Sequence, residues 1–264
     1  MQLASLFTIY LLILFGPRPI SAQSQSEGVI GEVVYAYYPD SAAIFLQRET
    51  LKTEDATDNA RSVSHLQDQY YVTRSLRFQL LFNREASLFE LSPQLRLDTD
   101  NRFLYNLAIL ETRGDRRHYL NTVTRTRLYE RPDLSSDTIY HITEVYDKHP
   151  WIISEDTRTI AGYSCRKAHY DYTYTDLDDV DKTVHVIAWY APDLPYSFGP
   201  AGFDGLPGMI LEVSTQWKRK NTYRATSISL FVDDLRPLPE LVVPDRIITE
   251  EILERESRSF DSKY

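Results

Sequence analysis

The side chains best suited to act as a nucleophile or a general base in this chain are one cysteine and six histidines. His169 follows Cys165 by four positions. On an extended strand this spacing separates them by about 13 Å, whereas a Cys–His pair needs a hydrogen bond of about 3 Å. A dyad within one strand is thus excluded, and Cys165 is predicted to be a small buried core residue. A hydrolase or redox enzyme that uses Cys165 or a histidine from elsewhere stays open as an alternative; the candidates are His118, His141, His149 and His185.

The same residue types lack the spacings of a metal site. No histidine pair is separated by one or three residues, and one cysteine cannot form a Cys-x-x-Cys motif or a disulfide within the chain. The acidic run Asp176–Asp181 lacks the glycine and glutamate that complete a calcium-binding loop, so we interpret it as a solvated turn. We therefore predict no metal and no cofactor, and leave open only ligands that converge in three dimensions.

Three tyrosines alternate along one predicted strand face, at Tyr170, Tyr172 and Tyr174. Such a row covers a sheet surface while its hydroxyls reach water or polar partners. The sharper alternative is a stacking platform for a sugar or a peptide.

A segment rich in proline and glycine joins the predicted strands Thr183–Tyr190 and Met209–Trp217. Four of the nine glycines fall within ten residues of it: Gly199, Gly202, Gly205 and Gly208. Within Leu206–Met209, Pro207 presets φ at the second position of a type II turn, and Gly208 accepts the positive φ required at the third. We expect Gly208→Val to be incompatible with this backbone.

This connection, residues 191–208, is called the capping loop below, and it is unusually apolar for a loop. Because loops normally run over the surface and are polar, an apolar one must pack against something. It either closes an open end of the sheet and completes the core, or lines a ligand pocket or partner-binding face. The candidate binding residues are Trp189, Tyr190, Pro195, Phe198, Phe203, Gly205, Leu206, Pro207 and Gly208.

The elements that would position this loop are strands. Leu76, Phe78, Leu80 and Phe82 alternate with polar residues, which is typical of a sheet with one buried face. Further strands are predicted at Val29–Tyr38, Leu88–Leu91, Tyr119–Tyr129, Ile139–Tyr146, Trp151–Ile153, Arg158–Tyr174 and Tyr223–Val232. Short polar turns between several of them favour antiparallel hairpins. The polar stretch Leu51–Ser75 is interpreted as a loop or insertion. A short C-terminal helix is predicted after Asp245.

These elements predict one mainly β domain over residues 23–264, a curved antiparallel sheet or half-barrel. The composition agrees, because 19 tyrosines and 11 phenylalanines accompany only 9 glycines. A net charge of −9 argues against a nucleic-acid partner, which would need clustered lysine and arginine.

The amino terminus predicts export. Leu3–Phe15 is an apolar run followed by Ile20-Ser21-Ala22, which is too short to span a membrane and ends in small residues as signal peptides do. We predict a signal peptide at residues 1–22, with cleavage near Ala22. The mature protein is then located in the periplasm or associated with the cell envelope.

The run Gly205–Ile210 resembles the signature of the GLPGLI family, exported proteins found mainly in Bacteroidetes. The flanking Ala188–Tyr190, Pro195–Pro200 and the upstream Trp151–Ala168 resemble the same family, with Met209 standing where the family name has leucine. The resemblance implies the compartment and the architecture, since no biochemical activity is established for the family. Members are often encoded near TonB-dependent outer-membrane receptors, which implies such a receptor as a possible partner.

From these features we expect a non-enzymatic envelope protein. It would bind an apolar or peptide-like ligand, or a partner protein, at the concave face capped by the loop. Besides the enzymatic alternative, a scaffold whose loop only completes the core stays open.

Overall fold

The computed structural model describes residues 28–252, apart from 43, 46–48, 50–55, 94–100, 133–137, 176–179, 217–218, 231–236, 240–245 and 250–251. Its twelve strands form one sheet in the order β12-β6-β5-β4-β3-β2-β1-β11-β10-β9-β8-β7. The strands are β1 (Gly31–Tyr38), β2 (Arg77–Phe82), β3 (Ala86–Leu91), β4 (Arg117–Asn121), β5 (Thr126–Pro132), β6 (Ile139–Thr143), β7 (Ile152–Ile160), β8 (Tyr163–Thr175), β9 (Asp181–Ala191), β10 (Met209–Gln216), β11 (Lys220–Leu230) and β12 (Arg246–Thr249). Helix α1 (Ala56–Ser75) follows β1, and α2 (Arg102–Glu111) follows β3.

The predicted class, a mainly β and largely antiparallel open sheet, is confirmed. In β2 the alternation holds, since Phe78, Leu80 and Phe82 are fully buried. Two predicted single strands are hairpins instead. A turn at Ala161-Gly162, with φ of 47° and 86°, separates β7 from β8, and a turn at residues 122–125 separates β4 from β5.

The prediction of a loop at Leu51–Ser75 is wrong for Ala56–Ser75, which is helix α1. Its sequence carries no strong apolar stripe, so periodicity gave no helical signal. Helix α2 was also not predicted. It begins at Asn101, whose Oδ1 accepts hydrogen bonds from the backbone N–H groups of Phe103 at 3.1 Å and Leu104 at 3.2 Å.

A helix was predicted after Asp245, but Arg246–Thr249 is strand β12, paired in parallel with β6. Ile248 is 4% exposed and Ile247 is 63% exposed, so the side chains alternate with a period of two. β-branched isoleucines fit a pleated surface better than a short unsupported helix.

The sheet curves strongly, as predicted. A single 3₁₀ turn in the capping loop, Pro200–Gly202, contacts β3, β4 and β10. Strands β4 and β10 are five steps apart in the strand order, which is about 24 Å in a flat sheet. One short turn can touch both only if the sheet curves around it. The capping loop therefore lies on the concave face.

The concave face holds the main core. Rings of Phe78, Phe82, Phe89 and Tyr223 pack there with aliphatic side chains from β9 and β10, and the loop residues Leu194, Phe198 and Leu206 join the same cluster. Within the described part of the chain, no helix has the length and apolar character needed to cross a membrane.

Candidate functional site

The capping loop is packed, and its candidate residues divide by burial. Tyr190, Phe198, Leu206 and Gly208 are buried, Phe203 is half-buried, and Pro195, Gly205 and Pro207 are exposed. Backbone hydrogen bonds tie the loop to itself and to β10, from Met209 N–H to the Leu194 carbonyl and from Ile210 N–H to the Phe198 carbonyl, both 2.9 Å. The loop is therefore an integral part of the concave core.

Gly208 is required, although the predicted type II turn is wrong. Its φ is 151°, and the Met209 N–H bonds to Leu194 rather than closing the turn onto Leu206. A Cβ at position 208 would lie 2.3 Å from the Ala191 carbonyl oxygen. Both the backbone conformation and the close approach of β9 exclude a side chain here.

Trp189 lies away from the other candidates. It pairs with Glu212 and Lys167 across the sheet, on the convex face, whereas its neighbour Tyr190 points into the concave core. The Arg158 guanidinium covers the Trp189 ring at 4.1 Å from its centroid. Strand alternation separates these two adjacent aromatic residues.

A buried ion cluster that the sequence analysis did not predict fastens the loop to β5. Its centre is Arg127, whose Nε donates to Glu144 Oε2 at 2.9 Å and whose Nη1 donates to Asp204. The Arg127 Nη2 donates to the Gly202 carbonyl. The side chain of Arg127 is 2% exposed. We call Arg127, Glu144, His149, Gly202 and Asp204 the loop latch.

His149 connects the latch to β8. Its Nε2 lies 3.1 Å from Arg127 Nη2 and 3.0 Å from the Gly202 carbonyl oxygen, and its Nδ1 lies 2.6 Å from the Tyr170 hydroxyl. Trp151 adds a further tie, because its indole Nε1 donates to the Asp204 carbonyl at 2.7 Å. Strand β5 and strand β8, eight steps apart in the strand order, are thus joined across the concave face.

Burial and charge set the protonation of the latch. Burial lowers the pKa of His149 to about 3, and the Arg127 charge adds to this, so the imidazole is neutral at neutral pH. Burial opposes ionisation of Glu144, but Arg127 and Lys148 outweigh it and lower its pKa to about 2. Burial raises the pKa of Asp204 to about 6, although the same arginine favours its charged form. The Arg127 guanidinium therefore contacts two carboxylates of which Glu144 ionises at a much lower pH than Asp204.

The cavity beneath the latch is small. It holds about 10 Å³ and is bounded by His118, Arg127, Glu144 and Asp204, among others. This is room for roughly one water molecule. The Nδ1 atom of His118 is shielded and makes no hydrogen bond within the described residues. Burial lowers the pKa of His118 to about 3, so it is neutral as well.

Aromatic rings continue from the latch along β8 on the concave side. His149 stacks on Phe203 at 5.3 Å between centroids, and Trp151 meets Tyr170 edge-on at 4.8 Å. Tyr170 and Tyr172 are 6.2 Å apart, and Tyr172 and Tyr174 are 6.4 Å apart. Tyr170 is 5% exposed, but Tyr172 and Tyr174 are 41% and 40% exposed. We call the row Phe203, His149, Trp151, Tyr170, Tyr172 and Tyr174 the aromatic strip.

The outer part of this strip borders a stretch of β8 that β7 does not pair. Strand β7 pairs with β8 only from Tyr163 to His169, while β9 pairs with β8 as far as Thr175. Within the described ranges, no strand pairs with Asp171–Thr175 on the side away from β9. Alternate residues of an edge strand direct their backbone N–H and C=O groups outward, where another chain can pair with them.

Cys165 is buried on the convex side of β8, opposite Arg158 of β7. Burial raises the pKa of its thiol to about 11, so little thiolate exists at neutral pH. Its Sγ lies 3.5 Å from the Tyr163 carbonyl oxygen, as expected for a weak S–H donor. His185 pairs instead with Asp171 at 2.9 Å, and both are exposed. Among the described side chains, no three or more His, Cys, Asp or Glu converge as metal ligands would.

Comparison with known proteins finds a family model that is similar to one segment of the chain. The model of the family described as "Protein of unknown function (Porph_ging)" matches residues 171–212, which contain Asp171–Thr175 of β8, strand β9 and the capping loop. No curated protein matches the sequence.

Two solved structures of PNGF-II, in the P21 and C2 space groups, are similar to this fold at TM-scores of 0.48 and 0.47. Sequence identity is 13% and 12%, over 87% and 86% of this chain. The chain spans about a third of the length of those proteins, with 34% and 32% of them covered.

Proposed function

We propose that this protein is an exported, non-enzymatic binding protein that takes an extended segment of another protein chain. The segment adds to the edge of β8 at Asp171–Thr175 and lays its side chains on the aromatic strip. The observation that carries the proposal is the five-residue stretch of β8 that extends beyond its pairing with β7, beside two half-exposed tyrosine rings. Main-chain hydrogen bonds supply affinity in this mode, and the strip supplies selectivity.

The rim of the concave face suits a ligand better than its interior. Core side chains and the capping loop fill the interior, and the cavity under the latch has room for about one water. A ligand beneath Phe198 and Leu206 would have to displace them, each burial being worth roughly 1.5–3 kcal/mol. The loop contributes instead by fixing Phe203 and His149 at the inner end of the strip.

The remaining parts of the proposal rest on sequence. The resemblance to the GLPGLI family, carried by Gly205–Ile210, falls inside the segment that the Porph_ging model matches. We extend this to export, with a mature chain that begins at Gln23, and to a TonB-dependent receptor as a source of the bound segment. The signal peptide lies outside the described residues. Intact-mass measurement of the secreted protein tests the cleavage site.

The binding site is tested with a phage-displayed library of random linear peptides, selected on the purified protein. We expect enriched peptides with alternating apolar or aromatic residues, because one face of an added strand would contact Tyr172 and Tyr174. The double variant Y172S/Y174S should weaken these peptides by roughly tenfold or more, as truncation of aromatic anchors does. Hydrogen exchange should slow at the amides of residues 171–175 when peptide is bound.

The matched control is Y71S, which removes a tyrosine 60% exposed on α1, remote from the strip. It should leave peptide affinity unchanged. Peptides that bind Y172S/Y174S as tightly as the native protein, or that leave exchange at residues 171–175 unaltered, would contradict the proposed site.

A further inference from the structure

A second site lies on the convex face, apart from the aromatic strip. A cleft of about 260 Å³ is lined by Arg158, Thr159, Ile160 and Ala161 from the end of β7 and its turn, and by Arg224 and Ala225 from β11. Guanidinium groups from two strands that are four steps apart in the strand order thus face one cavity. The volume is below that of most drug-sized sites and suits a small metabolite.

Both arginines share one carboxylate. Glu212 of β10 lies between them, with Oε1 at 2.5 Å from Arg158 Nη2 and Oε2 paired with Arg224 Nε. The Glu212 side chain is 4% exposed, while those of Arg158 and Arg224 are 33% and 45% exposed. Arg158, Arg224 and Glu212 together carry a net charge of +1. The described residues that line the cleft include no other charged side chain.

Arg158 is held in place by packing rather than by saturated hydrogen bonds. Its guanidinium lies over the Trp189 ring at 4.1 Å, and its approach to Glu212 is an ionic contact. Its Nε makes no hydrogen bond within the described residues, although this atom is shielded from solvent. A buried donor without an acceptor is costly, and such a group marks the place of a missing water or ion.

The Arg224 side of the cleft is similarly preorganised. Its ion pair with Glu212 uses Nε, and its guanidinium lies 5.2 Å from the centre of the Tyr38 ring. The Arg224 side chain is 45% exposed and lines the cleft. Planar guanidinium groups fixed on aromatic rings are suited to bind carboxylates with two parallel hydrogen bonds.

We propose that this cleft binds a small organic carboxylate, with the anion between Arg158 and Arg224 and the rest of the ligand against Ile160. The excess positive charge favours an anion, and the planar guanidinium groups suit a carboxylate, which each can bind with two parallel hydrogen bonds. This site is independent of the proposed peptide-binding function, since it lies on the other face of the sheet.

Sodium butyrate is the probe, and the ¹H–¹⁵N NMR spectrum of the labelled protein is the readout. Trp189 underlies Arg158, so its indole resonance should shift saturably, while that of Trp151, which lies on the concave face, should stay fixed. The Nε–H resonances of Arg158 and Arg224 should move with the same affinity. R224Q and R158Q should each weaken butyrate binding by roughly tenfold, the scale expected for loss of one charge-assisted contact.

R166Q is the matched control, because Arg166 is a half-exposed arginine of β8 paired with an exposed glutamate. Butyrate affinity should be unchanged in it, and R158K, which keeps the charge, should restore part of the binding lost in R158Q. R224Q tests the site even if R158Q does not fold. Shifts that do not saturate, that persist in R158Q and R224Q, or that phosphate reproduces without butyrate binding would overturn the assignment.

Discussion

Arg127 places a full positive charge in the core and contacts the other four residues of the loop latch. Nothing in the sequence marks it, because its partner Asp204 is 77 positions away and the latch residues are spread over β5, the β6–β7 connection and the capping loop. Local spacing can exclude a same-strand dyad such as Cys165–His169, since one strand fixes that distance. It cannot predict a cluster whose members meet only after the sheet has curved.

The pKa of Asp204 predicts a pH-dependent contribution to stability. Its folded pKa of about 6 lies above the value near 3.9 of an unfolded aspartate, so the folded state holds the proton more tightly. This contribution is complete below pH 4 and is lost as the pH rises through 6. The unfolding free energy of the native protein minus that of D204N should therefore fall by about 1 kcal/mol from pH 5 to pH 7.

Urea unfolding of both proteins at pH 5, 6 and 7 measures this difference. Effects of Glu144 and His149 on pH dependence largely cancel in the comparison, because both variants keep these residues. The asparagine keeps an oxygen that can accept from Arg127 Nη1. A difference that stays constant from pH 5 to pH 7 would show that Asp204 ionises with an ordinary pKa in the folded protein, and one that grows with pH would show that its pKa is lowered.

At the scale of elements, strands that alternate cleanly were predicted and elements with mixed patterns were not. In β2 every second residue is apolar, and burial follows it. Strand β10 does not alternate throughout, because a bulge between Ile210 and Glu212 turns Ile210 into the core beside Tyr190. The polar sequence of helix α1 shows none of the periodicity of an amphipathic helix, so the pattern predicts a loop there.

A comparison of Gly162 with Gly208 distinguishes the energetic cost of a steric clash from the cost of backbone strain. Gly162 has φ of 86° and open space around a Cβ, whereas at Gly208 the φ is 151° and a Cβ would meet the Ala191 carbonyl oxygen at 2.3 Å. G162A should cost about 1–2 kcal/mol, the usual penalty for a positive φ. G208A should cost more, because β9 and the loop must also move apart. Chemical denaturation of the two variants gives both values.

An equal loss in G162A and G208A would mean that the loop adjusts freely around position 208. The comparison also bears on the scaffold alternative. If Y172S/Y174S leaves peptide binding intact and loop variants lower stability alone, the loop only completes the core.

At the scale of the whole molecule, the latch closes a sheet that local pairing leaves open. Neighbouring strands bond in sequence from β12 to β7, and their twist accumulates into curvature. Contacts of Pro200–Gly202 with β3, β4 and β10 then fix how far the sheet curves. The aromatic and apolar strand patterns predict a curved sheet. The buried ion pairs of the loop latch, which join the two halves of the sheet, cannot be predicted without the fold.

The latch should therefore couple the capping loop to global unfolding. In the native protein, the amides of Met209 and Ile210 should exchange with the same free energy as the amide of Leu80 in β2, because the loop is buried in the same core.

R127Q leaves Glu144 and Asp204 without their guanidinium and should lower the unfolding free energy by about 3–5 kcal/mol, as breaking buried ion pairs does. In this variant the Met209 and Ile210 amides should exchange more easily than Leu80. Native-state hydrogen exchange against denaturant concentration measures all three amides, and the exposed pair Arg125–Asp147 supplies the control R125Q, which should change none of them. If the loop amides already exchange by local opening in the native protein, the latch does not couple the loop to the sheet.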